Sequence, residues 1–110
     1  MPLFEKTRIE LYLPDVPRPE YHDLLVSLEH EFTYTFGGCS LLRGLDGNYL
    51  AKNGQLIRDR VNILYTDIDL IIATEFAQIS TYTDALRRIA FRSLDEEVVL
   101  IVVYGVYHSE

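Results

Sequence analysis

The stretch Thr7-Arg8-Ile9-Glu10-Leu11-Tyr12-Leu13-Pro14-Asp15-Val16-Pro17-Arg18-Pro19-Glu20-Tyr21 changes period halfway along. From Thr7 to Leu13, Ile9, Leu11 and Leu13 alternate with Arg8, Glu10 and Tyr12, the two-residue period of a strand with one apolar face. Pro14, Pro17 and Pro19 stop that strand, because proline has no amide hydrogen to give a sheet. Pro19 suits the first turn of a helix, where the missing donor has no partner to lose. Glu20 and Asp23 follow, favourable beside the positive end of a helix dipole. Tyr21, Leu24, Leu25, Leu28 and Phe32 then recur at helical spacing, which predicts an amphipathic helix over 19–35. Gly37 and Gly38 end it, since glycine takes the left-handed C-cap conformation at low cost.

Beyond this strand and helix, Cys39 to Arg43 reads as a short strand. Gly44-Leu45-Asp46-Gly47-Asn48 and Asn53-Gly54 are two turn signals close together, predicting a long or two-step hairpin with Tyr49 to Ala51 extended between them. Gln55 to Thr66 is the third strand, with Val61, Ile63 and Tyr65 alternating with Arg60, Asn62 and Leu64. Asp67 and Asp69 are expected to cap the next helix. Over 69–93, Ile72, Phe76, Ile79, Thr83, Leu86 and Ile89 or Ala90 keep helical spacing. The patch Ile79-Ser80-Thr81-Tyr82-Thr83 is a poor helix interior and marks a place for a break. Arg87, Arg88 and Arg92 fall in the last turns, where cations complement the dipole. Val98 to Tyr107, rich in β-branched and aromatic residues, is the last strand. The order is β-α-β-β-α-β, which resembles the ferredoxin-like arrangement. It implies one α+β domain over 1–110: a four-stranded antiparallel sheet, two helices on one face, and the first and last strands paired.

Composition narrows the function classes. The chain has 110 residues, 48% of them hydrophobic and 25% charged, the balance of a folded globule rather than a disordered one. Ten Lys and Arg against 17 Asp and Glu give a net charge of −7. Nucleic acid is steered by basic surfaces and anionic lipid by polybasic ones, so neither is an expected partner. Val98 to Tyr107 is about half of what a membrane-spanning helix needs. The start, Met1 to Lys6, shows no secretory signal. Cys39 is the single cysteine, which leaves no intrachain disulfide and no cysteine zinc site. A reducing, cytoplasmic home is the expectation.

Gly37-Gly38-Cys39-Ser40, Gly47-x-Tyr49, Gly54-x-Leu56-Ile57-Arg58 and Leu94-Asp95-Glu96-Glu97-Val98-Val99-Leu100 together resemble a small bacterial family of unknown function. Its members pair a glycine-rich end of the first helix with a Gly-x-aromatic hairpin. An acidic entry leads into their last strand. Tyr49 stands here where that pattern has Trp. The resemblance implies the fold and no activity.

Catalytic signatures are sparse. The sequence holds no Gly-x-x-x-x-Gly-Lys-Ser/Thr, Gly-x-Gly-x-x-Gly or His-Glu-x-x-His motif, and no cofactor is expected. His22 and His30 are eight apart on the first helix. Val26 fills the i+4 place that a helical metal pair would use, so they read as surface histidines and no metal site is expected. His108 reads the same way. Cys39 follows a helix C-terminus, whose dipole disfavours a thiolate, and reads as a small apolar residue.

Two features carry functional weight. Residues 43–60 hold Arg43, Lys52, Arg58 and Arg60 against Asp46 and Asp59, a local +2 in an acidic chain. Strand parity predicts that Arg58, Arg60 and Asn62 face away from Val61, Ile63 and Tyr65. They would then share an open sheet face with Arg8, Glu10 and Tyr12. There Arg60 would clamp a small anion, and Tyr12 and Glu10 would act as acid and base. The second feature is the last strand, apolar on both faces although its place in this fold is an edge. Such an edge invites pairing unless covered. Leu100, Val102 and Tyr104, or their alternates Ile101 and Val103, are therefore expected at a homo-oligomer interface. The leading reading is a non-catalytic, self-associating interaction or regulatory module. The alternative is a small enzyme or binding protein with an anion cavity.

Overall fold

The computed structural model describes residues 2–94 and 99–110. The elements are β1 (Leu3–Pro14), α1 (Pro19–Phe36), β2 (Ser40–Leu50), β3 (Leu56–Ile68), α2 (Ile72–Leu94) and β4 (Leu100–Ser109). The sheet order is β2-β3-β1-β4, all neighbours antiparallel, with β1 and β4 paired from Leu3–Ser109 to Tyr12–Leu100. This is the ferredoxin-like α+β fold. Val98 and the acidic run Asp95 to Glu97 lie outside the described residues.

Cross-strand pairing fixes which side chains share a face. Ile9 lies opposite Thr66 and Val103, and Leu11 opposite Leu64 and Ile101, so these point the same way. They meet Leu24, Leu25, Leu28 and Phe32 of α1 and Ile79, Leu86, Ala90 and Leu94 of α2 in one core cluster. Both helices therefore cover one face. α1 begins with Pro at its first turn and ends at Gly37, whose φ of 95° and amide bond to the Thr33 carbonyl make the expected left-handed cap.

The second helix departs from expectation in two places. It remains helical across Ile79 to Thr83, and the irregular residue is Glu75 at φ −126°, ψ 27°. Thr81 and Thr83 donate their hydroxyls to the Ala77 and Ser80 carbonyls of the preceding turn, so their polar groups are met inside the helix. The Glu75 carboxylate folds back to accept from the Ile71 amide, doing the capping assigned to Asp67 and Asp69. Those two aspartates are engaged elsewhere, Asp69 with Lys6 and Asp67 with Arg8. Phe76, expected on the buried face, is 67% exposed.

β2 is also longer than its sequence indicates. Gly44 to Asn48 is strand rather than turn, with a bulge between Leu42 and Leu45 and Gly44 at φ 67°. The reversal occurs once, at Ala51–Gln55, with Gly54 at φ 85°. No residue from Leu42 to Val61 joins the core cluster, so the outer half of this hairpin projects beyond the helices. The principal extents of 47 × 29 × 26 Å and the 15.0 Å radius of gyration reflect that projection. A compact chain of this length has a radius of about 13 Å.

Candidate functional site

The face of the sheet turned away from the helices is where the predicted groups divide. Arg8, Glu10 and Tyr12 lie on it, opposite Asp67, Tyr65 and Ile63 of β3 and Tyr104, Val102 and Leu100 of β4. Arg60 and Asn62 do not. The pairing of Leu11 with Leu64 turns Asn62 and Arg60 to the helix side and leaves Val61, Ile63 and Tyr65 on the open face. The expected parity is thus reversed along β3, because both faces of this strand carry apolar residues.

Asn62, expected as a ligand-binding side chain, is 1% exposed. Its Oδ1 accepts from the Gly44 amide at 2.8 Å, and its Nδ2 donates to the Tyr21 hydroxyl of α1. Arg60 lies beyond the helices and donates to the Gly44 carbonyl at 3.0 Å. Both backbone groups of the bulge glycine are therefore held. Arg58 lies two residues further out, opposite Asn48, and Arg60 lies opposite Asp46. With Gly47 and Asp59 these four line an open hollow of about 500 Å³ on the hairpin. Arg43 is exposed on β2 beside the bulge. The basic residues gather on the hairpin, not over the sheet.

On the open face the charged groups satisfy one another. Arg8 makes a bidentate pair with Asp67 at 2.7 and 2.9 Å, and its guanidinium lies 4.5 Å from the centre of the Tyr65 ring. The His108 Nε2 approaches the Asp67 Oδ2 at 2.6 Å. Hydrogen bonds from Arg8, and then from His108, hold the Asp67 carboxyl below the ordinary carboxylate range despite burial. The same Asp67 bond raises the Arg8 guanidinium further. Glu10 accepts from Tyr104 at 2.6 Å and from Tyr12 at 3.3 Å. The hydrogen bond to Glu10 raises the Tyr104 phenol, while burial and then the Glu10 charge raise Tyr12. Sequence pattern alone does not bring Asp67, His108 and Tyr104 into this cluster. The signal that finds them is register: once Leu11 is set against Leu64, Arg8 must face Asp67 and Tyr104.

Around this network the face is apolar. Leu42 lies beside Ile63, Leu45 beside Val61 and Tyr49 beside Ile57, so apolar side chains run from the sheet out along the hairpin. Leu42, Leu45, Tyr49, Leu100 and Tyr104 are exposed. Ile101 and Val103 instead face the helices and pack on the core. Of the five residues expected at an interface, Leu100, Val102 and Tyr104 are thus the set on the uncovered face. His22 and His30 are exposed on α1, and His30 stacks edge-on against Tyr34. Cys39 sits half-buried against the core. Among the described residues, no group of three His, Cys, Asp or Glu is arranged to hold a metal ion, and no helix is long and apolar enough to cross a membrane.

The architecture is that of a known class of small α+β proteins. It is similar to CutA1 from Oryza sativa, with a TM-score of 0.62 and 12% identity over 97% of this chain and 84% of that one. It is similar also to the divalent cation tolerance protein from Thermus thermophilus, at 0.60 and 15% over 97% and 88%. A third likeness is CPII, a nitrogen regulatory PII-like protein from Thiomonas intermedia, at 0.53 and 13% over 99% and 100%. No protein-family model and no curated protein matches the sequence.

Proposed function

We propose that this chain is a non-catalytic interaction or regulatory module that works as a homo-oligomer, using β4 and the open sheet face as its contact surface. The observation that carries the reading is β4 itself. From Leu100 to Tyr107 it contains no Lys, Arg, Asp, Glu or Pro, and it lies at a sheet edge with Leu100, Val102 and Tyr104 on the uncovered face. None of the usual defences of an edge strand is present there. Burying four such side chains contributes about 6–12 kcal/mol of gross transfer energy, partly offset by the cost of association. Arg8 and Asp67 are ion-paired on this face, and the Glu10 carboxylate accepts hydrogen bonds from two phenols, which lowers the penalty for covering them. The likeness to a nitrogen regulatory PII-like protein agrees with a regulatory role.

Static light scattering at micromolar concentration tests this. The expected mass is a multiple of 12.7 kDa, shifted towards the single chain by Val102→Lys. Lysine there faces Glu10 across the pair with β1, so the folded chain tolerates it. A wild-type mass of 12.7 kDa refutes the reading.

A second reading, a small-anion-binding protein, is favoured by the hollow beside Arg58 and Arg60, two guanidiniums on one strand face. The CPII structure is described as bound to ADP, AMP and bicarbonate. A thermal-shift screen with phosphate, bicarbonate and adenine nucleotides decides it. A rise in midpoint lost in Arg58→Ala supports the reading, and no rise with any anion refutes it.

A further inference from the structure

Resting on the self-association reading above, we infer that the contact is governed by pH through His108: covering the open face takes up a proton at its imidazole, so assembly tightens as the solution becomes more acidic. The first observation is where the ring sits. His108 lies opposite Phe4 on the strand pair that also sets Val106 against Lys6 and Tyr104 against Arg8, so it shares the open face with them. Its Nε2 is 2.6 Å from the Asp67 Oδ2, and its Nδ1 is 3.4 Å from the Glu110 Oε1. Each ring nitrogen thus faces a carboxylate. An ionised carboxylate only accepts, and a neutral imidazole has one N–H, so the neutral ring turns a lone pair towards one of the two. The imidazolium donates to both.

The second observation is the charge around the ring. From β1 come Lys6 and Arg8, from β3 and the residue after it Asp67 and Asp69, and beyond β4 Glu110. Two cations face three carboxylates, a net −1. Arg8 holds Asp67 and Lys6 holds Asp69, which leaves Glu110 as the surplus. A proton on His108 brings the cluster to neutrality. Further along the face, Glu10 is met by the Tyr12 and Tyr104 phenols, both of which are raised and keep their protons. Asp67, held low by Arg8, stays ionised.

The third is what surrounds the cluster. Phe4, beside His108, is 46% exposed, and Leu100, Val102 and Tyr104 continue the same face. A second copy laid over these residues excludes water from the cluster, and an uncompensated charge is costly there. The protonated, neutral cluster is therefore the form that is covered. Imidazole is the side chain whose charge changes between about pH 5 and 8, so the device works in that interval. A copy that takes up one proton on assembly makes association up to about tenfold tighter for each pH unit.

Sedimentation measured from about pH 8 down to about pH 5.5 tests the inference. The wild-type dissociation constant should fall at least about fivefold over that range. His108→Gln, which cannot take up the proton, should lose that dependence and stay near the wild-type value at the alkaline end. His22→Gln/His30→Gln, on the exposed side of α1, should keep it, which separates His108 from the general fall in negative charge. A constant that does not move with pH in an assembled wild type overturns the inference and leaves self-association standing, as does a His108→Gln variant as responsive as the wild type. A wild type at 12.7 kDa throughout overturns the underlying reading instead. Circular dichroism checks folding. Should His108→Gln unfold, the wild-type ring is followed by NMR at two protein concentrations: its titration midpoint should lie at higher pH in the assembled sample, and an equal midpoint refutes the linkage.

Discussion

Replacing Asn62 by alanine is the sharpest probe of how the hairpin is anchored. The side chain is 1% exposed, and its two ends join two elements: the Gly44 amide of β2 donates to Oδ1 at 2.8 Å, and Nδ2 donates to the Tyr21 hydroxyl of α1. Truncation leaves one buried amide and one buried hydroxyl without partners. Each unsatisfied group costs about 1–3 kcal/mol, so a loss near 3 kcal/mol is expected. That is a large share of the roughly 5–15 kcal/mol that holds a domain folded. Urea unfolding followed by circular dichroism measures it, at one fixed protein concentration because assembly adds its own stability. Tyr21→Phe alone should cost about 1–2 kcal/mol, since it strands the Asn62 amide group. Combined with Asn62→Ala it should cost less than the sum by about 1 kcal/mol, because both partners of one bond are then gone. A loss below about 0.5 kcal/mol for Asn62→Ala, or strict additivity in the pair, would show that the amide is no anchor.

Three further outcomes follow from the same geometry. Asp67 is held below its unfolded range by Arg8 and then His108, so its contribution is complete above about pH 4 and fades as pH falls through the lowered folded value. Asp67→Asn should therefore flatten the acid limb of stability against pH, and an unchanged limb would exclude the pair as its cause. Gly44→Ala and Gly54→Ala, at φ 67° and 85°, should each cost about 1–2 kcal/mol for the left-handed backbone, because the Arg60 Nη2 that lies 2.5 Å from an added Cβ at Gly44 is the tip of a flexible, exposed side chain and can swing aside. A Gly44→Ala variant more than about 2 kcal/mol less stable than Gly54→Ala would show that Arg60 holds its place. Phe32→Ala, at a fully buried position on the core side of α1, should cost about 3–5 kcal/mol in the same urea assay, and a loss under about 1 kcal/mol would place that ring outside the core.

The element order was legible because each signal was local: alternation in β1, proline at the start of α1, glycine at its end. The parity of β3 was not. Val61, Ile63 and Tyr65 on one face are as apolar as Leu64 and Ile68 on the other, and a one-residue shift exchanges the faces entirely. Only the long-range partner decides, and β1 chooses by setting Leu11 against Leu64. Gly44 presents a similar ambiguity. A glycine at positive φ serves a turn or a bulge equally well, and the buried grip of Asn62 selects the bulge. The threonines of α2 deceived for another reason: a propensity scale counts their branching but not the carbonyls they bond.

The reversal of parity changes what the open face can do. With Arg60 and Asn62 on it, the face would present unpaired cations suited to an anion; with Val61, Ile63 and Tyr65 in their place it is apolar around charges that are already matched. Glu10 accepts from two phenols, and both phenols are raised further from neutrality, by the Glu10 bond at Tyr104 and chiefly by burial at Tyr12. A general acid works best with a pKa near the working pH, and these groups have been moved away from it. The cluster of Arg8, Asp67, His108, Glu10 and Tyr104 therefore suits a surface to be covered better than a surface to react. Arg43, Lys52, Arg58 and Arg60, by contrast, lie on the projecting hairpin and not on this face.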